Sequence, residues 1–282
     1  MRTQTSTACP SLFIPHGGGP CFFMDWTWGP ADTWDGLGDW LSHLAERLNL
    51  TPKAIIVISA HWEEADFAVT AQPTPPLLYD YHGFPAHTYQ LSYPAAGAPE
   101  LAQKVVDLLQ GSGLSARLEH NRGLDHGVFI PLKLIYPQAN IPVLQLSLKH
   151  GLDPAIHLAA GRAIASLRDE GVLIIGSGSS YHNMQGSGPA FSAAALRFDN
   201  WLGEAACAPT TEQRAQMLTQ WLQAPEARLS HPREEHLLPL MVAAGAAGND
   251  LGQRIYRQPI MDIMLSAYGF GITAEEAKTL VL

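Results

Sequence analysis

Residues 54–58 are apolar at every position, mostly β-branched, and lead within three residues to His61. A strand without a polar face must be covered on both sides, so such a run is typical of the centre of a parallel sheet flanked by helices. Ligands of open α/β sheets bind outside the carboxyl ends of the strands. The sequence therefore predicts that His61 stands where a buried strand ends and a functional site begins.

Two further apolar runs end in a histidine. Residues 11–14 lead through Pro15 to His16 and a glycine-rich turn, and residues 172–175 lead through a turn of small residues to His182. We expect these histidines to converge with His236, which begins an apolar segment, because parallel strand ends meet at one edge of a sheet. A divalent metal explains such a group of neutral imidazoles most economically. The alternative is a set of unrelated core and surface histidines.

Apolar spacing and proline positions predict the other elements. Helices are expected over residues 37–50, 99–111, 154–168, 191–207 and 211–222. Residues 231–244 are expected to start charged and to become an apolar helix at their end. Strands are expected at 115–119, 141–148 and 258–265, and the proline- and aromatic-rich residues 68–99 are expected to be irregular. No repeat or linker divides residues 1–282. The sequence thus predicts a single α/β domain whose mostly parallel or mixed central sheet is flanked by helices and holds a metal at its strand ends.

Residues 17–40 contain four tryptophans, Trp26, Trp28, Trp34 and Trp40, among glycines and acidic residues. This composition is typical of a loop that packs over another part of the protein. Aromatic side chains commonly line small-molecule pockets. The segment is therefore either a wall of a substrate site or a surface loop pinned by its aromatic residues.

The composition bears on partners and location. With 46% hydrophobic and 15% charged residues, and no apolar run near the ~20 residues of a membrane helix, we expect a soluble globular protein. A net charge of −9 with only 17 Lys and Arg residues argues against nucleic acid as a partner. Cys9, Cys21 and Cys207 follow no metal-ligand spacing, and residues 1–10 do not resemble a signal peptide, so a reducing, cytoplasmic location is expected.

Six motifs resemble those of the class III extradiol ring-cleavage dioxygenases of the LigB type, specifically the DOPA 4,5-dioxygenase branch. They are IPHGGGP (14–20), SAHW (59–62), YHGFP (81–85), GLDHG (123–127), GSGSSYHN (176–183) and EHLLPL (235–240). The resemblance extends in order from residue 11 to about residue 268. Six linked motifs are more specific than any one of them.

The resemblance implies a mononuclear non-haem Fe(II) site, which is often found with Zn(II) instead, and cleavage of a catechol ring beside its two hydroxyl groups with O2. It implies that His16, His61 and His236 are the metal ligands. Protocatechuate-type relatives use a glutamate as third ligand, and Glu234 and Glu235 directly precede His236. Three neutral ligands would leave the full +2 charge on the metal, which favours a catecholate dianion.

The resemblance also implies roles beside the metal. His182 is expected to be the acid–base catalyst, close enough to be a possible fourth ligand, and His126 a second catalytic histidine that hydrogen-bonds the substrate or the oxygen-derived group. From the sequence alone, Asp125 either orients His126 or is the N-cap of the following helix. The substrate-binding wall is expected to contain Trp62, Tyr81 and His82.

Two other functions fit the same residues. Three histidines and a water make up a hydrolytic zinc site, in which Glu235 would be the base. The second alternative is a relative that keeps the fold as a non-catalytic binding module. The presence of all five motif histidines argues against that second alternative.

Overall fold

The strands of the computed structural model, which describes residues 8–280, form one mixed sheet with the order β4-β3-β5-β2-β6-β1-β8-β7. Numbered along the chain, they are β1 (Ser11–Pro15), β2 (Ala54–Glu64), β3 (Phe67–Thr70), β4 (Ala116–Glu119), β5 (Val143–Lys149), β6 (Val172–Gly178), β7 (Gly252–Ile260) and β8 (Ile263–Phe270). The four central strands are parallel to one another: β6 pairs with β1 and β2, and β2 pairs with β5. The antiparallel pairs lie outside them: β8 pairs with β1 and with β7, and β3 pairs with β5. The outermost strand β4 is parallel to β3.

Helices cover both faces of this sheet. They are α1 (Asp35–Arg47), α2 (Pro99–Gly111), α3 (His126–Ile135), α4 (Pro154–Ile164), α5 (Pro189–Ala206), α6 (Thr211–Thr219), α7 (Ala227–Ser230), α8 (Leu238–Ala246) and α9 (Ala274–Leu280). The α/β architecture predicted from the uninterrupted apolar runs is confirmed. Within residues 8–280, no helix is long and apolar enough to cross a membrane.

Alternate residues of the central strands enter different hydrophobic cores. Ile55 and Val57 of β2 pack in the core that contains α1 and α3, whereas Ile56 and Ile58 pack in the core that contains α4 and α8. This division follows from the two-residue repeat of a strand. The division explains why the first part of β2 has no polar face, because both of its faces are buried from Ala54 to Ala60, directly before His61.

Several elements differ from the prediction, among them the short helices α7 and α9, which the sequence patterns did not predict. Residues 67–70 form the short strand β3, which the prolines that follow it in the sequence obscured. The single strand expected at 258–265 is the hairpin β7–β8, with its turn at Met261, where φ is +53°. Apolar residues flank the turn at Met261 and Asp262, and the turn contains no Gly, so the pattern hid it. The apolar helix expected at the end of residues 231–244 is confirmed and begins at Leu238.

His157 is a buried histidine outside the site, and it ties α4 to β5. Its Nε2 accepts a hydrogen bond from the backbone N–H of Lys149 (3.1 Å), and its Nδ1–H donates to the carbonyl of Asp153 (2.7 Å). Burial lowers the pKa of His157 from 6.5 to about 4. Folding therefore selects the neutral imidazole.

We expect this histidine to make the protein less stable as the pH falls from 6.5 toward 4, because the unfolded chain then binds a proton that the folded chain excludes. Between pH 7 and pH 5, the free energy of unfolding should fall by about 1–2 kcal/mol less in His157→Gln than in the wild type. Urea titrations at the two pH values measure it. His43→Gln, at an exposed histidine of α1, is the matched control. An unchanged pH dependence in His157→Gln would contradict the assignment.

Candidate metal centre

Three histidines meet where the central strands end. His16 follows β1, His61 lies in the last part of β2, and His236 lies two residues before α8. One ligating nitrogen from each lies within 4.8 Å of the other two, and the Nε2 atoms of His16 and His61 are 3.1 Å apart. The structure thus brings together the three histidines that the sequence singled out as metal ligands.

His61 reaches this point through an irregularity in β2. The strand does not end at the histidine, as the sequence suggested, but continues to Glu64. Its pairing with β6 stops at Ser59, and its register with β5 shifts between Ile58 and Glu63. Such shifts re-aim side chains beside active sites. His61 therefore projects from the stretch of β2 that β6 no longer covers.

Ser177 of β6 fixes the tautomer of His16. The serine hydroxyl donates its one proton to the carbonyl of Gly127, so toward His16 it can only accept. It lies 3.1 Å from Nδ1 of His16, which must therefore carry the proton. The lone pair of His16 is left on Nε2, the atom that faces His61.

Glu235 orients His236 in the same manner. Its Oε1 accepts a hydrogen bond from Nδ1 of His236 (2.8 Å) and lies 3.1 Å from Nδ1 of His182. Burial opposes ionisation of this carboxyl, but the hydrogen bonds from His182 and His236 outweigh it and hold the pKa of Glu235 far below 4.5. A carboxylate shared by two imidazoles is an orienting group, and this position does not favour the role of base in a zinc hydrolase. Glu234 pairs with Arg228 at 2.6 Å.

Asp80 is a site residue that the sequence analysis missed. Its Oδ1 accepts hydrogen bonds from Nδ1 (2.7 Å) and the backbone N–H (3.0 Å) of His126, and its Oδ2 lies 3.8 Å from Nδ1 of His61. Burial raises the pKa of Asp80, but the hydrogen bonds with His126 reverse the effect and leave it below 3.8. The residue directly precedes the motif at 81–85, which was the only signal for it.

Asp125 was expected either to orient His126 or to cap the following helix. It occupies the N-cap position of α3, but its side chain makes no capping hydrogen bond. The carboxylate is fully buried and accepts hydrogen bonds from the hydroxyl of Ser59 (2.7 Å), the amide of Gln145 and the guanidinium of Arg122 (3.1 Å). It does not orient His126, because Asp80 does so. Asp125 instead ties α3 to β2 and β5 below the histidines.

His182 lies beside the three convergent histidines. Its ring stacks on His236 with centroids 3.4 Å apart and an interplanar angle of 16°. Its backbone N–H donates to the carbonyl of Ser230 (2.9 Å), and its side chain is 37% exposed. It forms a group of possible ligands with Glu235 and His236, and His236 is the residue that this group shares with the group of His16 and His61.

A cavity of about 420 Å³ opens over these histidines. Its walls include an aromatic cluster of Trp26, Trp28, Trp34 and Phe84, whose neighbouring ring centroids are 4.9 to 5.5 Å apart. The tip of the β7–β8 hairpin contributes to the lining as well. Of the two interpretations of residues 17–40, the structure favours the wall for three tryptophans. Trp40 is instead buried in the core.

Trp62, predicted for this wall, does not line the cavity. It follows His61 in β2, and neighbouring residues of a strand point to opposite faces. Its side chain is buried, its Nε1 donates to Glu64, and the guanidinium of Arg122 lies 5.0 Å from its ring centre. Trp62 therefore packs on the face of β2 that is opposite to His61.

Tyr81 and His82 are likewise not among the cavity-lining residues. Tyr81 packs edge-on against His126, with centroids 5.8 Å apart, and its hydroxyl donates to the carbonyl of Thr88 (2.6 Å). His82 is exposed to solvent. The segment around residue 81 therefore buttresses His126, while its neighbour Phe84 reaches the cavity.

Comparison with known proteins agrees with this geometry. Residues 11–270 match the family model described as the catalytic LigB subunit of aromatic ring-opening dioxygenase. The chain belongs to the LigB family of extradiol dioxygenases. This membership agrees with the convergence of histidines at the strand ends, and it identifies the protein as an enzyme.

Individual relatives place this LigB-family enzyme in the DOPA dioxygenase branch. The 4,5-DOPA dioxygenase extradiol of Beta vulgaris is 47% identical over 203 residues, which cover 71% of this chain and 75% of the relative. The protein of that name from Escherichia coli K12 is 35% identical over 261 residues, covering 86% and 87%. A crystal structure of the uncharacterised E. coli K12 protein JW3007 matches with a TM-score of 0.69 and 29% identity, covering 93% of this chain and 99% of that one.

Proposed function

We propose that the protein is a metal-dependent dioxygenase that opens the ring of a catechol beside its hydroxyl groups and incorporates both atoms of O2. Its metal would be Fe(II), held by His16, His61 and His236, and Zn(II) could occupy the same ligands in the purified protein. The observation that carries the proposal is the convergence of these three imidazoles at strand ends, with Nδ1 of His16 and of His236 already engaged by Ser177 and Glu235.

The donor set fits such an ion. Burial, with the neighbouring imidazoles, holds the pKa of His16 and of His61 well below 6.5, and burial lowers that of His236 to about 4. All three are therefore neutral near pH 7. Neutral imidazole is a good ligand for both iron and zinc, and groups that hold the second ring nitrogen orient it toward the metal. Bound Fe(II) supplies the redox chemistry that lets O2 react with a catechol.

His182 is the proposed proton-transfer group. With Nδ1 directed at the ionised Glu235, its Nε2 is free to take a proton from a catechol hydroxyl and to return it later. The carboxylate stabilises the imidazolium that forms in between, as a buried aspartate does for the histidine of a catalytic triad. Its partial exposure at the cavity suits exchange of that proton.

His126, which lies beside Asp80 and His61, is the proposed group that hydrogen-bonds the substrate. Asp80 accepts from its Nδ1–H and fixes the tautomer, which leaves Nε2 as an acceptor toward a substrate hydroxyl. His126 lines the cavity and lies 3.9 Å from His61 between ring centroids. It can therefore meet a ligand held at the metal centre.

The partners of the reaction are a small catechol and O2. The aromatic cluster over the histidines supports this, since it offers flat faces to a ring and excludes water from the reacting atoms. We place the enzyme in the cytoplasm, where Cys9, Cys21 and Cys207, all free thiols here, would stay reduced.

Anaerobic reconstitution with Fe(II), followed by a catechol and then air, tests the proposal. We expect a yellow ring-fission product and the uptake of one O2 per catechol consumed. The Zn(II)-loaded protein, treated identically, is the control and should form no product. If the Fe(II) protein takes up no O2 with any catechol while the Zn(II) protein hydrolyses esters, the dioxygenase proposal is wrong.

A further inference from the structure

The cavity over the metal centre carries no fixed charge on its walls. Among the described residues that line it, none is Asp, Glu, Lys or Arg. Its ionisable side chains are Tyr181 and the histidines of the centre itself: His16, His61, His126, His182 and His236. A charged group on the far side of a bound catechol would therefore meet no counter-charge.

The charged groups on neighbouring segments are already engaged. Arg122 binds the carboxylate of Asp125 and the carbonyl of His61. Arg233 makes two hydrogen bonds to the carboxylate of Glu63. At the hairpin turn, the carboxylate of Asp262 accepts from the backbone N–H at residue 188 (3.0 Å). Both guanidinium groups are engaged with carboxylates, and neither arginine lines the cavity, so neither is placed to pair with a substrate carboxylate there.

The polar atoms that the aromatic cluster adds are uncharged. The indole Nε1 atoms of Trp26 and Trp34 are buried and have no acceptor among the residues that the structure describes. An indole N–H is an uncharged hydrogen-bond donor. It does not offset the cost of removing a full charge from water.

The mouth of the cavity is apolar and exposed. Trp28, Met184 and Met261 line the cavity, yet they are 57%, 80% and 50% exposed. Clusters of exposed apolar side chains mark binding surfaces, because covering them removes apolar area from water. A substituent that extends from the catechol ring toward the mouth would cover these three side chains.

We propose that the preferred substrate is an uncharged catechol with an apolar substituent, rather than an amino-acid catechol such as the DOPA for which the relatives are named. This inference rests on the proposed dioxygenase function and narrows it. The apolar substituent gains from burial against the wall, whereas a carboxylate or ammonium loses hydration without a partner. Selection occurs at the wall and mouth, away from the metal ligands.

Two matched pairs of catechols test the proposal with the Fe(II)-loaded enzyme. Methyl caffeate and caffeate differ by one negative charge, and 4-propylcatechol and L-DOPA differ by the amino-acid group. We expect kcat/KM to be higher for the neutral member of each pair by about tenfold or more, because the charged group is desolvated without a partner. Dissociation constants from quenching of tryptophan fluorescence without O2 should follow the same order.

A charge placed at the mouth should change this preference. Met184→Arg should raise kcat/KM for caffeate relative to methyl caffeate by about threefold or more, and added salt should reduce the gain. Leu222→Arg makes the same change at a leucine that is 55% exposed and does not line the cavity, so its ratio should equal that of the wild type.

The outcomes separate the two proposals. If no catechol of either pair is cleaved and no O2 is consumed, the dioxygenase function itself is wrong. If the pairs are cleaved but caffeate and L-DOPA equal or exceed their neutral partners, the function stands and the substrate inference is overturned. Equal ratios in Met184→Arg and Leu222→Arg would also overturn the assignment of selectivity to the mouth.

Discussion

We expect replacement of His16, His61 or His236 with alanine to abolish tight metal binding while the fold persists. Each substitution removes one of three imidazoles from the proposed metal centre, and we expect a loss of metal affinity greater than the ~10–100-fold typical of changes to groups that only orient a ligand. These side chains lie beyond or near the carboxyl ends of central strands, or just before α8, and they add little to either hydrophobic core. Metal analysis and chelator competition measure the affinity, and thermal melts followed by circular dichroism check the fold.

Two variants calibrate this result. Ser177→Ala keeps all three imidazoles but removes the hydroxyl that accepts from Nδ1 of His16 and donates to the carbonyl of Gly127, so the metal affinity should fall by about 10–100-fold. His43→Ala removes an exposed histidine of α1 and should bind metal as the wild type does. Full metal occupancy in any of the three alanine variants would remove that histidine from the ligand set.

The second large effect is expected at His182. Its place beside His236, with Nδ1 at Glu235, suits proton transfer, so His182→Ala should keep nearly stoichiometric Fe(II) and still bind catechol. The chemical step should slow by about 10²- to 10⁴-fold, the usual contribution of a positioned acid–base group. Iron content and single-turnover rates measure the two properties separately.

His182→Gln sharpens this test, because glutamine can still donate to Glu235 but cannot carry the proton. It should be about as slow as the alanine variant. Loss of iron together with activity, with partial recovery on added Fe(II), would show instead that His182 is a ligand. A variant that keeps both its iron and its full rate would exclude both roles.

The parts of the fold and site that were predicted correctly follow from burial and topology. An apolar run such as residues 54–58 has few alternatives to a strand covered on both faces. Once such strands are parallel, their ends lie at one edge, so the meeting of His16 and His61 follows from the architecture. The period of two also argues against Trp62 as a wall residue, since His61 and its neighbour must face opposite sides.

Other features depend on contacts that no local pattern encodes. Asp80 lies in an irregular segment and finds His126 at a separation of 46 residues, without periodicity to connect them. The turn at Met261 uses a left-handed backbone without the glycine that usually marks one. The four tryptophans of residues 17–40 had two interpretations, and only the tertiary structure shows that three of them line the cavity over the histidines.

The cavity wall and the proposed metal ligands are carried by separate segments of the chain. Trp26 and Trp28 lie on the loop that leads to α1, and Met261 lies at the tip of the β7–β8 hairpin. The three convergent histidines instead lie at the carboxyl ends of central strands or just before α8. Loops tolerate insertion and exchange far better than the strands that support them. Evolution, or a laboratory library confined to these two segments, can therefore change which ring is admitted while the reaction itself is inherited intact.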